Sequence, residues 1–152
     1  ITMLSRSTLV NFRSDNVFDG KHTNHHDTEV VTPKNVDGES KAAEDIAAAM
    51  APKHYIARTS WVIGDGNNFV SAMKTLAEKG VAPSVVNDQI GRLTFTKDLA
   101  AGIKHLVDSN AEYGTYNLTN EGESASWADI AADVYELTGH DRTAVTGVST
   151  KE

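Results

Sequence analysis

The chain contains no cysteine, which excludes a disulfide frame and thiolate chemistry and is what a cytoplasmic protein would show. No apolar run approaches the roughly 18 residues of a membrane-spanning helix, and the opening Ile1-Thr2-Met3-Leu4-Ser5-Arg6 lacks the apolar centre of a signal peptide. Basic residues are in the minority: 14 Lys and Arg stand against 21 Asp and Glu, a net charge of −7. No Lys/Arg cluster is present to neutralise a phosphate backbone, which argues against a nucleic-acid surface. Neither Gly-x-Gly-x-x-Gly nor Gly-x-x-Gly-x-x-Gly occurs, so the chain has no such glycine turn to hold a pyrophosphate at a helix N-terminus. A Gly-x-Ser-x-Gly elbow is missing too, which leaves the Ser, His and Asp residues without a hydrolase framework. The expectation is a cytoplasmic protein with neither a membrane nor a nucleic-acid partner.

What is present reads as alternating strands and helices. At 152 residues, 39% of them hydrophobic, the chain has room for one core and is short for two domains. Thr8 to Phe12 and His54 to Ser60 are β-rich and apolar, as buried parallel strands should be. Between them Ala42, Ala43, Ile46, Ala47 and Met50 recur at helical spacing, completing a β-α-β unit. A second helix is predicted from Phe69, Val70, Met73, Leu76 and Ala77, closed by Gly80 where a left-handed residue is wanted. Leu99, Ala100, Ile103, Leu106 and Val107 predict a third, with Thr96 as N-cap and Asp98 in its first turn. A fourth runs from the capping box Ser126-Trp127-Ala128-Asp129 to Gly139. Short strands are expected at Ser84 to Asn87 and Gly114 to Leu118, and the polar run Lys21 to Glu29 reads as a surface loop.

Two segments carry the candidate chemistry. Ser14-Asp15-Asn16-Val17-Phe18-Asp19-Gly20 follows the first strand, and Asn35-Val36-Asp37-Gly38-Glu39-Ser40-Lys41 opens the first helix. Ser14, Asp37 and Lys41 can therefore converge beside the carboxyl end of a strand, where open α/β sheets place their sites. The i, i+4 spacing sets Asp37 and Lys41 on one helix face. Two more blocks follow, Arg58-Thr59-Ser60-Trp61-Val62-Ile63-Gly64 and Asp88-Gln89-Ile90-Gly91-Arg92-Leu93-Thr94-Phe95-Thr96.

Taken in this order the four blocks resemble extended short-chain dehydrogenases, most closely the dTDP-4-dehydrorhamnose reductases. That family reads Ser-Ser/Thr-Asp-Tyr-Val-Phe-Asp-Gly, then Pro-x-Asn-x-Tyr-Gly-x-Ser-Lys, Arg-Thr-Ser-Trp-Val-Tyr-Gly and Asp-Gln-x-Gly-x-Pro-Thr-Tyr-Thr. The resemblance implies an α/β fold: a partial Rossmann-like parallel sheet made of the later strands with its helices, plus a small substrate-binding subdomain. It divides residues 1–152, read as one domain, into later Rossmann strands and active-site helix over 1–64 and substrate-binding elements over 65–152. Because the family's glycine turn and first βα units precede its Ser-Asp-Tyr strand, the chain is expected to be the later part of a longer enzyme. A sheet lacking those units would leave an unpaired edge, so association with a second copy or with the missing N-terminal half is expected.

The implied activity is NADPH- or NADH-dependent reduction of the 4-keto sugar of dTDP-L-rhamnose synthesis. Such a site needs hydride from a nicotinamide and a proton at the carbonyl oxygen. In the family a Tyr gives the proton, a Lys one turn later tunes the phenol and holds the nicotinamide ribose, and a Ser or Thr hydrogen-bonds the oxygen. Here the hydroxyl is Ser14, the lysine Lys41, and the tyrosine position holds Asp37. An ordinary aspartate, with a reference pKa of about 3.9, is ionised at neutral pH and shorter than a phenol, hence a poor proton donor. The chain is therefore expected to be inactive by itself, and the alternative is a catalytically silent nucleotide-sugar-binding or regulatory module. Asp37 also reads as a helix cap, Lys41 as a solvated lysine and Ser14 as a polar strand end.

The resemblance further assigns Asn16, Trp61, Asn87, Gln89 and Arg92 to the nucleotide-sugar. Trp61 offers a flat apolar face and Arg92 a planar fork for a diphosphate, against the ordinary readings of a core tryptophan and a surface arginine. Asn16 replaces an aromatic wall, and Arg13 stands where the family usually has a small residue. His22, His25 and His26 beside Asp19, Asp27 and Glu29 form a weak metal pattern, and no metal is expected. Asp65-Gly66-Asn67-Asn68 reads as a turn feeding a helix, because it lacks the bidentate Glu of a calcium loop.

Overall fold

A computed structural model describes residues 7–18 and 25–151. Their elements are β1 (Leu9–Ser14), a 3-10 turn (Asp15–Val17), α1 (Val36–Ala49), β2 (His54–Thr59), β3 (Val62–Ile63), α2 (Phe69–Glu78), β4 (Ser84–Val86), β5 (Ile90–Gly91), β6 (Thr94–Phe95), α3 (Thr96–Asp108), β7 (Gly114–Asn117), β8 (Ala125–Ser126), α4 (Trp127–Leu137), a second 3-10 turn (Arg142–Ala144) and β9 (Thr146–Val148). They form two compact units, Ile1–Ser60 with Lys97–Thr119 and Trp61–Thr96 with Asn120–Glu152. The division expected at residue 64 does not coincide with this one. The stretch 97–119, expected among the later elements, returns to the first unit because β7 completes its sheet.

The first unit is a parallel sheet in the order β1-β2-β7. The central strand β2 is buried from Tyr55 to Thr59, and the apolar, β-branched pattern of both predicted strands is what such burial requires. Tyr55 donates from its hydroxyl to the Ala111 carbonyl at 2.8 Å and packs at a tilt on Tyr113 and Tyr116. β1 extends two residues beyond the expected Phe12, so Ser14 is the last residue of the strand itself.

Helix α1 turns a different face inward from the one its apolar spacing indicates. Ile46 and Met50 are 68% and 69% exposed, and the buried positions are Gly38, Ala42, Asp45 and Ala48. The reason is electrostatic: Asp45 faces the sheet to meet two arginines there, and rotating Ile46 inward would carry that carboxylate out of their reach.

In the second unit α2 and α4 pack together over the parallel pair β4 and β9. The core contains Met73, Ala77, Val85, Ala128, Ala131, Val134 and Tyr135, with the Tyr135 hydroxyl donating to the Val81 carbonyl at 2.8 Å. Both helices start in reciprocal capping boxes, Asn68 with Ser71 and Ser126 with Asp129. The glycines expected after them, Gly80 and Gly139, have φ of 67° and 81°, the left-handed conformation that glycine adopts at little cost. Asp65 to Asn68 is a turn into α2, as its sequence suggested.

The Asp129 carboxylate accepts from the Ser126 hydroxyl and backbone N–H, and these bonds hold it below the ordinary carboxylate range. A lowered folded-state value stabilises the fold above the unfolded value near 3.9, and that contribution is lost as pH falls through the lowered value. Ser126→Ala is expected to reduce stability by about 1 kcal/mol in urea unfolding at neutral pH, with the difference from the parent narrowing as the pH falls below the ordinary carboxylate range and through the lowered Asp129 ionisation.

Candidate functional site

The tip of β1 is a hydroxyl followed by an acid. Ser14 donates from Oγ to Asp15 Oδ1 at 3.2 Å, and the Asp15 carbonyl accepts from the Phe18 N–H at 2.9 Å, closing the turn. Val17 is fully buried, and its carbonyl accepts from the Thr32 N–H at 2.8 Å. The returning loop is pinned at several points. His25 stacks on Phe18 with ring centroids 4.0 Å apart, and its Nδ1 lies 3.0 Å from both Glu29 carboxylate oxygens. Asn117, at the carboxyl end of β7, donates from its side chain to the His25 carbonyl at 2.9 Å and from its N–H to Asp27 Oδ1 at 2.6 Å. The Arg58 guanidinium lies 5.4 Å from the Phe18 ring centroid, a cation over an aromatic face. This loop therefore sits at the carboxyl ends of the parallel strands. Burial pushes the Asp15 carboxyl above its ordinary range, with the Ser14 bond, its own backbone and His25 pulling the other way.

Helix α1 packs against β1, β2 and this turn. Its cap is Asn35 rather than Asp37: Asn35 is extended (φ −141°, ψ 166°), and its side chain accepts from the Gly38 N–H at 2.7 Å. Asp37 sits in the first turn, exposed, with its carbonyl accepting from Ser40 Oγ at 2.7 Å. Lys41, one turn later, is partly exposed, and its Nζ is 3.8 Å from Glu44. Ser14, Asp37 and Lys41 thus belong to one unit, the latter two on the helix that lies against the strand tip.

Sequence reasoning missed the charge cluster beneath that helix. Arg13 and Arg58 are register partners on β1 and β2, and both reach Asp45, which is 6% exposed. Arg58 donates from Nε to Asp45 Oδ2 at 3.1 Å and brings Nη2 to the same distance, while Arg13 Nε makes an ion-pair contact with Oδ1 at 3.0 Å. Arg13 Nη1 also lies 3.1 Å from Glu44 Oε2, the same oxygen that Lys41 approaches. The signal available in the sequence was an arginine inside one predicted apolar strand, Arg58, and another directly after the other, Arg13.

In the second unit Trp61 adopts φ 42°, a conformation a bulky residue rarely takes. Its ring stacks on Trp127 at 3.7 Å between centroids, and Phe69 tilts onto Trp127 at 4.5 Å. A Cβ added at Gly91 would lie 2.6 Å from the Trp61 ring, so only glycine lets β5 approach this closely. Trp127 was expected merely inside a capping box. Asn87 and Gln89 engage the C-terminal segment instead: the Asn87 N–H donates to the Val148 carbonyl at 2.9 Å and Gln89 Nε2 to Thr150 Oγ1 at 3.3 Å. Arg92 is half-buried after β5, and the Asn16 side chain lies outside the described residues. Of the weak metal pattern, Asp19 and His22 also lie outside them, and among the described residues no group of three His, Asp or Glu side chains could hold an ion.

The model of the RmlD substrate binding domain family matches residues 2–152. The chain belongs to that family. It is 37% identical over 138 residues to the dTDP-4-dehydrorhamnose reductase of Aggregatibacter actinomycetemcomitans, covering 86% of this chain and 47% of that protein. It is 38% identical over 146 residues to the spore coat polysaccharide biosynthesis protein SpsK of Bacillus subtilis, covering 94% and 50%. Among solved structures it superposes on the Bacillus anthracis dTDP-4-dehydrorhamnose reductase in complex with NADP with a TM-score of 0.89 and 35% identity, covering 99% of this chain and 53% of that one. The α/β fold with a Rossmann-like parallel sheet is thereby shown, and the chain spans about half the length of these relatives.

Within this family member, Asp45 is the buried carboxylate shared by the two register-paired arginines. Asp45→Ala leaves the buried Arg58 without its counter-charge and Arg13 with Glu44 alone, and is expected to cost about 3–5 kcal/mol in chemical denaturation.

Proposed function

We propose that the chain is the substrate-side half of a dTDP-4-dehydrorhamnose reductase-like protein, acting on the 4-keto sugar of a nucleotide-sugar in the cytoplasm. The observation carrying this reading is the family match over residues 2–152, together with a strand-tip Ser14 and a helical Lys41 in the motif positions of that family.

Ser14 hydrogen-bonds the carbonyl oxygen as negative charge develops there. Lys41, with a partly exposed ammonium, fits the hydroxyls of a nicotinamide ribose. NADPH or NADH, bound mainly by the rest of the protein, supplies the hydride. In the second unit the candidates for the nucleotide-sugar are Trp61, with a flat apolar ring, Arg92, with a planar fork suited to a diphosphate, Asn87 and Gln89, and the resemblance adds Asn16. Asp37 replaces the phenol with a shorter, acceptor-type group. That replacement also favours the second reading, a catalytically silent nucleotide-sugar-binding or regulatory module.

The two readings separate in one experiment on the full-length protein. Asp37→Tyr is expected to raise consumption of reduced nicotinamide with the keto sugar by about 100-fold, the scale of a restored general acid. Absence of turnover in both the parent and Asp37→Tyr, with retained dTDP-rhamnose binding, selects the silent module, and loss of binding as well removes both.

A further inference from the structure

The reduction proposed above consumes a proton at the carbonyl oxygen, and position 37 has lost the group that would deliver it. The strand tip carries another acid. Asp15 Oδ1 lies 3.2 Å from Ser14 Oγ, a separation that serves a hydrogen bond in either direction. The carboxyl is half-buried in a turn backed by the fully buried Val17. Desolvation raises its pKa above the ordinary carboxylate range, which extends its protonated form toward neutral pH. Several charged groups belong to the elements packed around this turn. Asp37, Glu39, Lys41, Glu44 and Asp45 come from α1, Arg13 and Arg58 from the strands, and His25, His26, Asp27 and Glu29 from the returning loop. Arg13 and Arg58 are matched by Asp45, and Lys41 by Glu44. His25, itself paired with Glu29, is the one whose charge acts on Asp15.

We propose that Asp15 is the proton source for this reduction, passing its proton through the Ser14 hydroxyl. The proposal rests on the reductase reading. In the protonated state the Asp15 O–H donates to Ser14 Oγ, and the Ser14 hydroxyl in turn donates to the substrate oxygen. The carbonyl carbon accepts hydride from the reduced nicotinamide and the C=O π pair moves to oxygen. That oxygen takes the Ser14 proton, Ser14 takes the Asp15 proton, and Asp15 remains as a carboxylate to be reprotonated by solvent. The ketone becomes a secondary alcohol, and the nicotinamide is oxidised. Ser14 touches the reacting atom, and Asp15 is a positioning residue acting through it.

The test uses the full-length protein. Asp15→Asn is expected to lower kcat about 100-fold with KM changed little, and the parent kcat is expected to fall as pH rises through the Asp15 ionisation. Independently of turnover, carboxyl-¹³C aspartate labelling, with the Asp15 resonance assigned by its loss in Asp15→Asn, reads the titration directly. Its midpoint should lie above that of an ordinary aspartate and move higher still in Ser14→Ala, where the donor favouring the ionised form is gone. Unchanged kcat in Asp15→Asn, an ordinary or lowered midpoint, or a midpoint indifferent to Ser14→Ala overturns the relay alone. Absence of turnover in parent, Asp15→Asn and Asp37→Tyr alike overturns the reductase reading and the relay with it.

Discussion

The buried carboxylate of Asp45 is the constraint on which the first unit depends. Two arginines placed side by side by strand register repel each other in a poorly solvated space, and a single aspartate between them converts that repulsion into two ion pairs. Because Asp45 sits on α1, satisfying the charges also sets the rotation of the helix about its axis. Gly38, Ala42 and Ala48 then face inward, and their small side chains leave room for close approach. Lys41 and Asp37 take their orientation from the same rotation. The candidate catalytic face is therefore oriented by a charge cluster as much as by apolar burial.

The strand tip is held by different means. Asn117, Arg58 and Phe18 fasten the returning loop through backbone groups and ring faces, beside the turn that carries Ser14 and Asp15. Desolvating a carboxyl beside a hydroxyl raises its proton affinity, and the same turn that closes the strand thus supplies an unusual acid. The second unit is organised around apolar and aromatic contacts. Trp61 accepts an unfavourable backbone conformation, and its stacking on Trp127 with Gly91 against its ring is the packing that holds it there.

Legibility followed the range of the forces involved. The capping box at Ser126 and the helix ends at Gly80 and Gly139 were readable, because each is decided by residues within one turn of one another. The four family blocks were readable because their spacing is covalent. Asp45 was not, since its partners come from strands on either side of it in sequence and its position looked like any solvent-facing acid among alanines. Ile46 and Met50 misled for the same reason: apolar periodicity assumes that apolar contact decides which face turns inward, and here charge decided it. Asn35 displaced Asp37 as the cap through the extended backbone preceding α1, a conformation that composition does not encode.

By itself the amino-acid order determined the alternation of strands and helices, the family, and the replacement of a phenol by Asp37, since these depend on local propensity and on residue identity at fixed spacing. Tertiary structure alone decided that Arg13 and Arg58 share one counter-ion, that Trp61 meets Trp127, and that Asp15 loses water beside Ser14. Each of these depends on through-space distance or on exclusion of solvent. Those quantities exist only once segments far apart in the chain have been brought together.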